Sequence, residues 1–156
     1  MTATPGNDIL DGTGGDDTID GLAGEDIIDG LGGNDYLRGG SGNDTVDGGS
    51  GSDTLYGDAG ADILNGGTGD DALHGGAGRD TFQFSAGFGN DTIHDFTIGF
   101  DSIDVAALGF SSFADLLLNT ADVSGSAVIS LGGNSLTITG ITKSQLVETD
   151  FTGFVP

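Results

Sequence analysis

The chain has 156 residues, no cysteine and a formal net charge of -22. That length suits one domain of ordinary size, and the missing thiols exclude disulfides, Cys-zinc sites and thiol catalysis. So negative a surface excludes nucleic acid and anionic membranes as natural partners and favours cations.

From the N-terminus the first readable element is a partial repeat with Gly6, Asp8 and Leu10. Eight contiguous nonapeptides follow from Gly12 to Gln83, of the form G-x-x-G-x-D-x-(aliphatic or aromatic)-x. The first position is Gly12, Gly21, Gly30, Gly39, Gly48, Gly57, Gly66 and Gly75. The fourth is Gly15, Gly24, Gly33, Gly42, Gly51, Gly60, Gly69 and Gly78. The sixth is Asp17, Asp26, Asp35, Asp44, Asp53, Asp62, Asp71 and Asp80. The eighth is Ile19, Ile28, Leu37, Val46, Leu55, Leu64, Leu73 and Phe82. Of the 32 glycines, 25 fall before residue 90, but their period and the returning apolar residue argue against a disordered linker. A slipped repeat, Ala86 to His94, supplies Gly87, Gly89, Asp91 and Ile93.

A repeat this regular is one unit stacking on itself. Each nonapeptide divides into a six-residue turn and a short strand, with Gly at the first and fourth positions admitting backbone angles closed to other residues. One inward residue per strand cannot bury a core alone, but stacked strands ~4.8 Å apart can. Two nonapeptides per coil turn place Leu10, Ile28, Val46, Leu64 and Phe82 on one sheet, and Ile19, Leu37, Leu55, Leu73 and Ile93 on the other. The Asp series then climbs two edges: Asp8, Asp26, Asp44, Asp62 and Asp80 on one, Asp17, Asp35, Asp53, Asp71 and Asp91 on the other. Unpaired carboxylates at strand spacing repel by ~1 kcal/mol per pair even at water's dielectric. A hard divalent cation relieves this, and Ca²⁺, with 6–8 oxygen ligands in loose geometry, suits the donor set better than Mg²⁺.

At these residues the chain resembles the RTX proteins, whose G-G-x-G-x-D-x-U-x nonapeptides form a calcium-bound parallel β-roll. The resemblance covers roughly residues 6–94. The family's second Gly appears at Gly40, Gly49, Gly67 and Gly76, while Thr13, Leu22, Leu31 and Asp58 replace it elsewhere. That position reads as the less demanding one, with weaker early sites. The resemblance implies an all-β parallel β-roll, a two-sheet β-solenoid, over residues 1–104, with a small capping segment at 105–156. It implies about four ions per edge, about eight in all, each between loops two repeats apart. The sixth-position Asp residues and carbonyls of the Gly-rich positions would form the shell. Asp16, Asp70, Asp20, Asp29 and Asp47 read as solvated charge.

Beyond the repeats, Asn90-Asp91-Thr92-Ile93-His94-Asp95-Phe96 and Gly99-Phe100-Asp101-Ser102-Ile103-Asp104-Val105 resemble the stretch that closes many RTX rolls. Asp95 is a candidate cap for the last calcium site, and Asp101 and Asp104 read as turn caps. Ser112-Phe113-Ala114-Asp115 opens a short helix to about Asn119. Ala127–Leu131 and Ser135–Thr139 flank Gly132-Gly133-Asn134 as a hairpin. Thr142-Lys143-Ser144-Gln145 starts a last helical turn. The segment Thr149 to Pro156 resembles an uncleaved type I secretion signal. Met1 to Asn7 shows no cleavable signal, and no apolar run reaches the ~20 residues of a transmembrane segment.

No H-E-x-x-H zinc centre is present, and the glycine loops lead into strands rather than the helix a nucleotide loop needs. Carboxylate pairs recur identically in every repeat, which fits ion binding rather than one asymmetric acid/base site. The expected role is a non-enzymatic, secreted module that folds on Ca²⁺ after passage through a type I secretion apparatus. The alternatives are the C-terminal module of a secreted protease, lipase or polysaccharide-modifying enzyme with an upstream catalytic domain, suggested by repeats starting almost at Met1, or a surface-adhesion or polysaccharide-binding module. Tyr36 and Tyr56 face outward and are the candidates for sugar stacking.

Overall fold

The computed structural model describes residues 3–155. The chain runs through β1 (Ile9–Thr13), β2 (Thr18–Asp20), β3 (Ile27–Leu31), β4 (Tyr36–Ser41), β5 (Thr45–Asp47), β6 (Thr54–Ala59), β7 (Ile63–Asn65) and β8 (Ala72–Ala77). Then come β9 (Thr81–Gln83), β10 (Asn90–Ile93), β11 (Ser102–Asp104), α1 (Phe113–Leu118), β12 (Thr120–Val123), β13 (Ser126–Leu131), β14 (Asn134–Ile138) and β15 (Phe151–Thr152). Odd-numbered strands from β1 to β11 stack in parallel and are extended by β15; even-numbered strands from β2 to β10 stack likewise and are extended by β14, β13 and β12. The result is an all-β parallel solenoid of about five turns with two facing sheets.

Register follows the repeat. Ile28 pairs with Val46, Val46 with Leu64 and Leu64 with Phe82 on one sheet; Leu37 pairs with Leu55 and Leu55 with Leu73 on the other. Because side chains alternate along a strand, every eighth position from Ile28 to Phe82 points inward and is buried. Ile19, on the edge strand β2, is only partly covered. The core is one layer thick per turn, and it widens at the C-terminal end into Phe82, Phe84, Phe88 and Phe96.

The two glycine series serve different purposes. From Gly24 to Gly78 every fourth-position Gly has positive φ, between 116° and 153°. No first-position Gly does; there the constraint is space, because a Cβ on Gly21 would stand 2.5 Å from Gly39 O and 2.6 Å from Asp26 Oδ2. The second position is not the less demanding one. Gly40, Gly49, Gly67 and Gly76 have positive φ there, and so do Leu22 (76°), Leu31 (68°) and Asp58 (73°). For non-glycine residues this region costs roughly 1–2 kcal/mol.

The tail joins the roll rather than standing beside it. β14 pairs in parallel with β10, and β15 with β11, so both sheets run past residue 104. Ser112 accepts a hydrogen bond from Asp115 N at 3.2 Å and opens α1. The hairpin turns on Gly132 and Gly133, both at positive φ, with Leu131 opposite Asn134. Lys143–Gln145 forms a single 3₁₀ turn. Asp150 is buried, with Oδ1 accepting from Gly99 N at 2.9 Å and Oδ2 from Val147 N at 2.9 Å, which ties the C-terminus to the last turn. Pro156, the end of the segment read as a secretion signal, lies outside the described residues.

Candidate metal centres along the loop edges

The sixth-position aspartates form two ladders, one on each loop edge. In each ladder the main-chain N–H of one Asp donates to Oδ1 of the Asp one turn further on. Asp26 N reaches Asp44 Oδ1 at 2.8 Å and Asp35 N reaches Asp53 Oδ1 at 2.7 Å. The series continues from Asp44 to Asp62, Asp53 to Asp71, and Asp62 to Asp80. Across the slipped repeat it persists: Asp71 N donates to Asp91 Oδ1, and Asp80 N to Asp101 Oδ1, both at 3.0 Å.

The second oxygen has a different fate. Oδ2 of Asp26, Asp35, Asp44, Asp53, Asp62, Asp71, Asp80 and Asp91 is buried with no hydrogen-bond partner. A buried polar atom left unpaired costs about 1–3 kcal/mol. These oxygens are not scattered. At Gly48, a Cβ would stand 2.5 Å from Asp53 Oδ2 and 2.6 Å from Gly66 O of the next turn. The same pairing of a carboxylate and a carbonyl oxygen recurs around Gly21, Gly30 and Gly57. At the fourth position, Gly33 O lies where a Cβ of Gly51 would be, and Gly42 O where a Cβ of Gly60 would be. At Gly21, Gly30, Gly48 and Gly57 an unpaired carboxylate oxygen thus sits beside a main-chain carbonyl where a side chain has no room.

Among the described residues no three His, Cys, Asp or Glu side chains converge. These loops offer single carboxylates and main-chain carbonyls, an all-oxygen donor set that would fit Ca²⁺ and not zinc. Burial raises the carboxyl pKa of Asp44, Asp53 and Asp80, with neighbouring carboxylates adding to the effect. Burial pushes Asp62 and Asp71 up to about 6 and Asp91 to about 8. The main-chain hydrogen bond on Oδ1 works against this in each case and is outweighed.

The ladder ends are built differently from its middle. Thr4 N and Oγ1 donate to Asp8 Oδ2 at 2.6 and 2.9 Å, and Thr13 N and Oγ1 donate to Asp17 Oδ2 at 2.6 and 2.8 Å. Thr97 N donates to Asp101 Oδ2 at 2.7 Å. Asp101 thus continues the ladder of Asp80 rather than only capping a turn. Its signal was present in the sequence, since Asp101-x-Ile103 repeats the spacing of Asp80-x-Phe82. Asp95 lies outside both ladders: it is exposed, and its two oxygens accept from Gly75 N and Gly76 N. Asp104 does cap a turn, accepting from Ala106 N.

The carboxylates read as solvated charge hold loops together. Asp16 Oδ1 accepts from Asn34 N and Asp70 Oδ1 from Asn90 N, one turn on. Asp20, Asp29 and Asp47 accept from the N–H two residues ahead, at Leu22, Leu31 and Gly49, and so steer the second position to positive φ. On the outer face Tyr56 stacks on His74 (4.4 Å) and His74 on His94 (4.6 Å), while Tyr36 tilts against Tyr56. The rings of Tyr56, His74 and His94 are turned to one another, while Tyr36 at the end of the row is exposed.

The description "RTX calcium-binding nonapeptide repeat (4 copies)" matches residues 2–37, 29–64 and 47–82, together more than half of the chain. The chain belongs to the RTX calcium-binding repeat family. No curated protein matches it. Among solved structures, this RTX chain is similar to the AlgE6R2 subunit of the Azotobacter vinelandii mannuronan C5-epimerase. That match has 24% identity and a TM-score of 0.59, and covers 94% of this chain and 93% of that one. The AlgE6R3 subunit of the same epimerase matches at 26% identity and TM-score 0.54, over 97% of this chain and 81% of the other. The extracellular lipase LipA of Serratia marcescens matches at 18% identity and TM-score 0.51. There the RTX chain is covered over 96% of its length but spans only 39% of the lipase.

Proposed function

We propose that this chain is a non-catalytic module whose fold is conditional on Ca²⁺ and which serves a secreted protein. The observation that carries the reading is the set of eight buried, partnerless Oδ2 atoms, several of them beside a main-chain carbonyl oxygen at a first-position glycine. Bound Ca²⁺ supplies the positive charge and the missing coordination for these oxygens. The residues do the rest. Asp26, Asp44, Asp62 and Asp80 present four oxygens on one edge, and Asp35, Asp53, Asp71 and Asp91 four on the other, giving up to eight ions. The N–H of the preceding turn fixes each carboxylate through Oδ1, which leaves Oδ2 to face a cation as the loop folds around it. The first-position glycines keep the space open.

Without the cation, the same geometry places like charges in two buried columns, and the chain is expected to expand. Such a polyanion suits threading through a type I secretion apparatus, with folding on arrival where Ca²⁺ is on the order of a millimolar. Similarity to part of an extracellular lipase and to subunits of an epimerase supports a place beside the catalytic domain of a secreted enzyme. Polysaccharide binding is favoured less at Tyr56, because His74 stacks on its ring, than at Tyr36, which is only tilted against Tyr56 and is 42% exposed. Far-UV circular dichroism in EGTA and then in excess Ca²⁺ tests the central reading: a disordered spectrum should become a β spectrum. The same β spectrum in both would overturn it.

A further inference from the structure

We propose that the second position of each repeat is a switch that decides whether its loop takes a cation. This rests on the calcium reading above and concerns which loops are open to it. Eleven aspartates stand in the two ladders from Asp8 to Asp101, and they divide without exception. Three have a Thr four residues earlier: Thr4 before Asp8, Thr13 before Asp17 and Thr97 before Asp101. In all three the Thr main-chain N–H donates to Oδ2, and in the first two the Thr hydroxyl does so too. The other eight have Leu22, Leu31, Gly40, Gly49, Asp58, Gly67, Gly76 or Gly87 in that place, and every one of these has positive φ. Their aspartates are the eight whose Oδ2 is buried and unpaired.

The physical link is the backbone. At positive φ the second-position N–H turns away from Oδ2; at Leu22, Leu31, Gly49 and Gly67 it donates instead to the Asp or Asn two residues before. A β-branched residue resists that region more than Leu or Asp does. Thr4, Thr13 and Thr97 stay out of it. Their N–H then folds onto Oδ2 and supplies from within the chain what a cation would supply from outside. The rest of the cradle is present at the closed loop: a Cβ on Gly12 would meet Gly30 O at 2.6 Å and Asp17 Oδ2 at 3.0 Å. The closed loops also lie at the ladder ends, so position in the stack is the rival explanation. A substitution in the interior separates the two.

The experiment counts bound Ca²⁺ per chain by native mass spectrometry and by equilibrium dialysis, on the full chain and two variants. Thr13→Gly should gain one ion. Leu22→Thr, at an exposed residue whose Cβ is already accommodated, should lose one. Circular dichroism in excess Ca²⁺ confirms that both variants fold, and the amide exchange rate of residue 22 should fall in Leu22→Thr as its N–H closes on Asp26. Unchanged stoichiometry in both folded variants would overturn the switch while leaving the calcium reading intact. A parent chain that binds no Ca²⁺ would instead remove the calcium reading itself.

Discussion

Asp62 in the roll and Asp150 in the tail are both fully buried carboxylates, at 1% and 0% exposure, yet their surroundings differ. Asp150 has a main-chain donor on each oxygen, from Gly99 and Val147. Asp62 has one, from Asp44, and its Oδ2 faces none. The tail satisfies its buried charge from within the chain, whereas the roll leaves the same need open eight times over. Two halves of one continuous pair of sheets thus differ in what completes them.

The sharpest way to test that contrast is to remove Ca²⁺. Eight unpaired buried oxygens at about 1–3 kcal/mol each together rival the roughly 5–15 kcal/mol that holds a typical domain. In EGTA the far-UV β signal should be lost, and Ca²⁺ should restore it. Protons should substitute for the cation. The folded-state pKa values of Asp62, Asp71 and Asp91 lie above the unfolded value, so protonation favours the fold. That stability is fully present below about pH 4, and in EGTA it should be lost as pH rises through about 6 for Asp62 and Asp71 and about 8 for Asp91. A pH titration by circular dichroism with chelator present checks this, and saturating Ca²⁺ should abolish the neutral-pH loss.

Asp150→Ala leaves the N–H groups of Gly99 and Val147 without an acceptor and should cost about 1–3 kcal/mol for each in urea unfolding at saturating Ca²⁺. An equal calcium count in that variant would keep the tail's chemistry separate from the roll's. Gly48→Ala acts on the roll alone: its Cβ would crowd Asp53 Oδ2 and Gly66 O, costing about 1–3 kcal/mol and weakening calcium binding in dialysis. The smallest effect belongs to Arg38, whose guanidinium meets Asp58 at 2.7 Å and Asp20 at 3.6 Å on the outer face. Arg38→Ala should cost under about 1 kcal/mol, and less in high salt.

Much of this architecture was legible in the sequence because two periods coincide. The inward apolar residue and the Asp both return every nine residues, so Ile28, Val46 and Leu64 could be placed on one sheet before any coordinates. The ladders from Asp26 to Asp80 followed from the same count, and Asp91 from the slipped repeat. What was not legible depends on hydrogen bonds between turns. Nothing local marks Asp16 or Asp70, both exposed, as a loop-to-loop acceptor as well as solvated charge. The strain at Leu22 and Leu31 was hidden because Leu ordinarily avoids positive φ, and the second position was misjudged for that reason. Asp101 was missed because the slipped spacing after Asp80 breaks the nine-residue count, although its Asp-x-Ile pattern survives. In the tail, β12 and β15 are too short and too irregular to stand out, and β15's partner, β11, lies far back along the chain.

The pairing of strands every second repeat has a consequence in arithmetic. A turn is two nonapeptides, so a strand moved by one repeat changes sheets, while a strand moved by two keeps its place. The closing segment joins one sheet through β14 on β10 and the other through β15 on β11. Those two joints are not interchangeable, because β14 carries an antiparallel hairpin and β15 is two residues long. Both joints are made on the last two strands of the roll, which travel with the closing segment, so nine residues added or lost before β9 would leave both joints intact and would only move the strands before them to the opposite sheet.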